Sequence, residues 1–160
     1  MLIKEKDNRL FLNHGPIDIV LEAFGKDKPL AYEKAKKYFS TLLNELVLVM
    51  ALLKKEVVPH RNFNNKISQS MQNATEKFYP EFITPMAAVA GSVADNILNV
   101  LVKDTKLEKA YVNNGGDVSF YLTENQTIKS SLASIPNIIA EINYKDNSRG
   151  IATSGWRGRS

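Results

Sequence analysis

The hydrophobic period of the chain changes near Pro29, and that change constrains the fold more than any other feature. Before it, Arg9-Leu10-Phe11-Leu12 and the run Ile17 to Ala23 read as strands, joined by Asn13-His14-Gly15-Pro16. Gly supplies a positive φ in such a turn and Pro interrupts the ladder, so residues 8–24 are expected to form a β-hairpin. After it, Ala35, Tyr38, Phe39, Leu42, Leu43, Leu46, Met50 and Leu53 recur at helical spacing. They describe the buried stripe of one long helix from Pro29 to Lys55, with the proline in its first turn. A helix with one apolar face needs a surface to cover, and the strands supply it.

Nothing covalent can hold this arrangement together, because the chain contains no cysteine. Disulfides, thiolate metal sites and cysteine nucleophiles are excluded together. At 160 residues, 44% of them hydrophobic and 24% charged, the chain has the composition of one globular domain held by its own core. The net charge of +4 raises nucleic acid as a partner. However, Lys34, Lys36 and Lys37 alternate with apolar residues as on a solvated helix face, and no basic run is interleaved with aromatics. The basic balance therefore favours an anionic small molecule over nucleic acid. The amino-terminal run MLIKEKDNRLFL lacks the pattern of a signal peptide. The apolar run Leu46 to Leu53 falls far short of the roughly 20 residues of a spanning helix. A cytoplasmic protein without a membrane partner is expected.

The remaining elements are shorter. Residues 57–65 read as a loop, and a more polar helix is expected from Lys66 to Phe78, ending before Pro80. Thr84-Pro85 is a helix start, an N-cap hydroxyl followed by proline at the first position. Strands are expected at 110–113, 118–122, 128–132, 138–144 and 150–154. The fold class is α+β: a mostly antiparallel sheet covered by the long helix and by a second helix of small residues.

Three segments carry residues that propensity alone does not explain. In FITPMAAVAGSVAD, Thr84 opens a helix whose first half has almost no side-chain bulk, including Gly91 in its interior. A helix amino terminus can hold a phosphate, and Asp95 offers a group for a hydroxyl or metal; close packing and a surface aspartate are the plain alternatives. In YVNNGGDVSFYL, Gly115 and Gly116 either make a hairpin turn or clear space for a nucleotide against the backbone. Asn113, Asn114 and Asp117 then stand at the rim. In GIATSGWRGRS, Thr153 and Ser154 precede a flexible Gly155. Trp156, Arg157 and Arg159 can stack a ring and bind a pyrophosphate, unless they form a basic tail. No P-loop, zinc site or serine-hydrolase elbow is present.

Taken in order, PMAAVAGSVAD, AYVNNGGDV and GIATSGWRGRS resemble an uncharacterised ApbE-like family. The opening RLFLNHGPIDIVLEA resembles that family's start. The family is distantly similar to FAD:protein FMN transferases, formerly called ApbE thiamine-biosynthesis proteins. That resemblance implies FAD or FMN as cofactor and, in the transferases, Mg²⁺ with transfer of FMN to a threonine of a partner protein. By segment, it makes Asn113, Gly115, Gly116 and Asp117 a flavin-site glycine motif. Thr153, Ser154 and Gly155 match a later Thr-Ser-Gly segment, and Gly91 and Asp95 the small-residue helix; Thr84, Asn114 and Arg157 join them as candidate cofactor-binding residues from the reading of the three segments above. Where the transferases carry Lys-Gly-Tyr, this chain has Ala90-Gly91-Ser92, which leaves the transfer step open. The resemblance also implies a further strand and helix after this segment, carrying metal ligands. Residues 1–160 are thus expected to form one ApbE-like domain without that last part, its exposed apolar surface favouring a homodimer.

Three functions follow as expectations. The first is binding of a flavin or other nucleotide pyrophosphate; the alternatives are an FAD:protein FMN transferase and a non-catalytic binding or assembly domain.

Overall fold

The computed structural model describes residues 1–131 and 139–152. Its strands are β1 (Leu2–Lys6), β2 (Arg9–His14), β3 (Ile17–Gly25), β4 (Leu107–Asn114), β5 (Asp117–Leu122), β6 (Thr127–Ser131), β7 (Ile139–Asn143) and β8 (Gly150–Ile151). Six of them form one sheet in the order β1-β2-β3-β4-β5-β8, antiparallel at every step, while β6 and β7 pair separately. All the helices of the described residues lie between β3 and β4, which are neighbours in the sheet. They are α1 (Lys28–Leu48), α2 (Met50–Leu53), α3 (Lys66–Thr75) and α4 (Val89–Val102), with 3-10 turns at Glu76–Phe78 and Pro85–Ala88. The expected α+β class is found.

Alternation decides which face the helices cover. Ile17, Ile19, Leu21 and Ala23 of β3 are buried, as are Leu10 and Leu12 of β2 and Ala110 and Val112 of β4. The register sets Leu10 opposite Leu21 and Leu21 opposite Val112, so these side chains form one apolar face. Ala31, Ala35, Phe39, Leu42 and Leu46 of α1 and Val93, Ile97 and Leu101 of α4 are buried and join the same core. Each large side chain fully buried in this way contributes about 1.5–3 kcal/mol. The opposite face bears Arg9, Phe11, Val20, Glu22, Lys109 and Tyr111, and no helix of the described residues covers it.

Tyr32 locks the start of α1 to the sheet. Its hydroxyl donates to the Asn8 carbonyl at 2.6 Å and accepts from the Ala23 N–H at 3.4 Å. Burial, ahead of every other cause, raises its pKa to about 12, so the phenol stays a donor at neutral pH.

Four expectations need correction. The helix expected from Pro29 to Lys55 breaks at Val49 (φ −116°, ψ 10°) into α1 and α2, where β-branched Val47 and Val49 are weak helix formers. The helix from Lys66 ends at Thr75, and its last turn to Phe78 is 3-10. Thr84 makes no side-chain cap; its carbonyl accepts from the Ala87 N–H at 3.0 Å, and Pro85 opens a 3-10 turn ahead of α4. Finally, β1 was not expected. All five of its residues are exposed, so it shows no alternation, and its signal is the Asp7-Asn8 turn with φ of 51° and 65°.

The stretch Pro85–Val102 is apolar enough, at mean hydropathy 1.4 over 18 residues, to pass a length and composition test for a membrane span. It contains Asp95, and Val93, Ala94, Ile97 and Leu101 within it are fully buried in the core. That burial makes it a core helix.

Candidate functional site

One end of the sheet gathers the β2–β3 turn, the β4–β5 turn, the carboxyl half of α1 and the start of α4. Between them lies a cleft of about 720 Å³. Leu43, Leu46 and Met50 form one wall, Met86, Val89 and Val93 the other, and Asn114, Gly115 and Asp117 close the polar end. This volume is within the range of small-molecule sites, and an apolar wall with a few convergent polar groups is their usual construction. A second recess of about 240 Å³ adjoins it, lined by Gly91, Asp95, Asp117, Ser119, Gly150 and Ala152 among others. Asp117 and Ala152 line both.

The β4–β5 turn accounts for its own glycines. Gly115 and Gly116 have φ of +63° and +111°, the left-handed pair that a two-residue hairpin turn requires. Asn113 Oδ1 accepts from the Gly116 N–H at 2.9 Å and secures the turn. Asn114, only 8% exposed, donates from Nδ2 to the Ala90 carbonyl at 3.1 Å and ties β4 to the start of α4. Both asparagines are therefore engaged in the fold. They also point to opposite sides. Asn114 faces the cleft, whereas Asn113, one residue earlier, lies on the uncovered face.

The carboxylates differ in their partners. Asp95 is exposed, and its Oδ1 accepts a short hydrogen bond from the buried Ser119 hydroxyl. Asp117 has no hydrogen-bond or ion-pair partner among the described residues, so its carboxylate is available where the two recesses meet. Ser119 went unnoticed in the sequence. Its signal is a position two residues beyond Asp117 on a strand, hence on the same face. Leu43 and Leu46 of α1 and Met50 of α2, read from the sequence as core alone, also wall the cleft.

The remaining candidates are placed as follows. Thr84 lines neither recess. Thr153, Ser154, Gly155 and Arg157 lie outside the described residues, as do Trp156 and Arg159; the chain leading to them reaches the site at Ala152. Packing among the described residues does not dictate Gly91, because among them a Cβ there would meet only Asp117 Oδ2, at an ordinary 3.6 Å. Gly91→Ala is accordingly expected to stabilise the fold by about 0.5–1 kcal/mol through helix propensity. A urea titration reads this directly, and a loss of stability would show that α4 and β5 pack more tightly than this spacing.

The fold and site together define a two-layer α+β domain with a ligand-sized cleft at one end of its sheet. The family model described as AbpE bacteria matches residues 1–160, and the chain belongs to this ApbE-like family. No curated protein matches the sequence.

Proposed function

We propose that the chain binds a flavin or another nucleotide pyrophosphate in the cleft between α1, α4 and the β4–β5 turn. The observation that carries this reading is convergence. Ala90 of the small-residue helix and Asn114, Gly115 and Asp117 of the β4–β5 turn meet at one cleft, and Ala152, in the third segment, lines it too. The aliphatic walls suit a planar ring, and Asp117 at the polar end is an acceptor for N–H or hydroxyl donors. No lysine or arginine lines the cleft among the described residues. Charge on a pyrophosphate would therefore fall to Arg157 and Arg159 or to a cation.

The described residues do not by themselves fit a resident Mg²⁺, since no three of their His, Cys, Asp or Glu side chains come together. Nor do Ala90-Gly91-Ser92 bring a lysine or tyrosine to the site. Binding, and not FMN transfer, is accordingly the function put forward.

Equilibrium titration with FAD, FMN and ADP, with and without Mg²⁺, tests the proposal. The expected result is saturable binding of at least one of them at one site per chain, weakened by Asp117→Ala. Absence of binding by all three, in both conditions, would sink it.

A further inference from the structure

We propose that the sheet face turned away from the helices carries a second, separate site, in which Arg9 and Lys109 hold the oxyanion of a small carboxylate or phosphomonoester. This face and the β6 strand enclose a cleft of about 320 Å³ lined by Arg9, Glu22, Phe24, Lys109, Tyr111 and Thr127, among others. That volume is at the low end for small-molecule sites, which suits a compact anion.

Lys109 is half-buried, yet it has no carboxylate within ion-pair reach among the described residues. Its ammonium lies 4.8 Å from the centre of the Phe24 ring and makes one long hydrogen bond, 3.5 Å, to the Thr127 carbonyl. Burying a cation without a counter-ion is costly, and an aromatic face and one carbonyl offset only part of that cost. An anion would complete the site.

Arg9 supplies the geometry for one. Its Nε stands 3.5 Å from Glu22 Oε2, and its side chain is 53% exposed. Neither Nη atom donates a hydrogen bond among the described residues, and a guanidinium is the planar fork that holds carboxylate or phosphate oxygens in pairs. The same Glu22 Oε2 also accepts from the Tyr111 hydroxyl at 3.3 Å. The strand register fixes this set: Glu22 is opposite Tyr111, and Phe24 opposite Lys109. Three cations, Arg9, Lys109 and Lys129, line this cleft with one carboxylate, Glu22. Lys129 is paired with Glu141 at 3.1 Å, so Arg9 and Lys109 against Glu22 leave the cleft net positive, unlike the cleft at the end of the sheet.

Amide NMR titration with benzoate and with inorganic phosphate tests the site. Saturable shifts are expected in residues 22–24, 109–111 and 127–130. Arg9→Gln and Lys109→Gln should each weaken binding about tenfold, the loss of one charge-assisted hydrogen bond. Glu22→Gln should tighten it several-fold by removing the competing carboxylate. Lys55→Gln, the same charge change at an exposed position elsewhere, should leave it unchanged. Equal weakening by Lys55→Gln would mean non-specific ion pairing and would overturn the proposal, as would shifts centred on residues 114–117. If the Arg9 or Lys109 variant loses its folded spectrum, Glu22→Gln decides: tighter binding upholds the site, and unchanged or weaker binding overturns it.

Discussion

Phe39→Ala is expected to destabilise the protein by about 3–5 kcal/mol, the cost of emptying a fully buried aromatic position. Phe39 has no exposed surface and belongs to the core cluster that joins α1 to the sheet. Its ring meets His14 edge-on, 6.2 Å between centroids, at the β2–β3 turn. Truncation therefore removes contact between the main covering helix and the strands at the base of the candidate cleft. Domains of this kind are stable by only about 5–15 kcal/mol, so the variant should unfold at a much lower urea concentration with a similar m-value. Leu48, also in α1 but 85% exposed, provides the comparison, and its alanine variant should change stability by less than about 0.5 kcal/mol. Equal, small effects at the two positions would mean that α1 does not lie on the sheet through its Phe39 face.

Gly25→Ala is expected to cost about 2–6 kcal/mol, from two sources that add. Gly25 has φ of +128°, a conformation that side chains rarely adopt, and holding alanine there costs about 1–3 kcal/mol. A Cβ would also stand 2.8 Å from Leu107 Cα and from the Lys106 carbonyl oxygen, and 2.9 Å from Glu108 N. These are backbone atoms and cannot rotate aside, so the strands must separate, at about 1–3 kcal/mol more. The position coincides with the register shift between Phe24 and Gly25, where β3 meets the start of β4 after the helices. Gly115→Ala tests positive φ without the close approach, because φ there is +63° with no atom of the described residues within 4 Å of the added carbon. That variant should lose only about 1–2 kcal/mol. If the two variants lose the same amount in urea unfolding, the close β3–β4 approach at Gly25 is refuted.

Much of this structure was legible because the signals are local. Ile17, Ile19, Leu21 and Ala23 alternate with Asp18 and Glu22, and that alternation is enough to identify a half-buried strand. Asn114-Gly115-Gly116-Asp117 specifies a tight hairpin through the φ values that only such residues tolerate readily. The α1 stripe from Ala35 to Leu46 repeats at helical spacing and is buried as expected. Where the reading failed, the deciding interaction was absent from the segment itself. β1 is solvated on both sides, so its Leu2 to Lys6 pattern has no face to reveal. Thr84 has the chemistry of an N-cap, yet the 3-10 turn that follows leaves its hydroxyl without that bond.

The candidate site divides along the same line. Its small residues, its glycine turn and its lone aspartates could be picked out one by one, each with a structural alternative of equal standing. Their sequence alone determined the α+β class, the turn at Gly115-Gly116 and the apolar face of α1, because dihedral preference and hydrophobic period are properties of short stretches. Only the tertiary structure decided that Asp117 has no side-chain partner among the described residues while Asn113 and Asn114 are engaged, that Asp95 accepts from Ser119, and that Arg9 and Lys109 share the opposite face. Those outcomes depend on strand register and on the insertion of α1 to α4 between β3 and β4. Register depends on which residues pair across the sheet, and no single stretch of the chain contains that information.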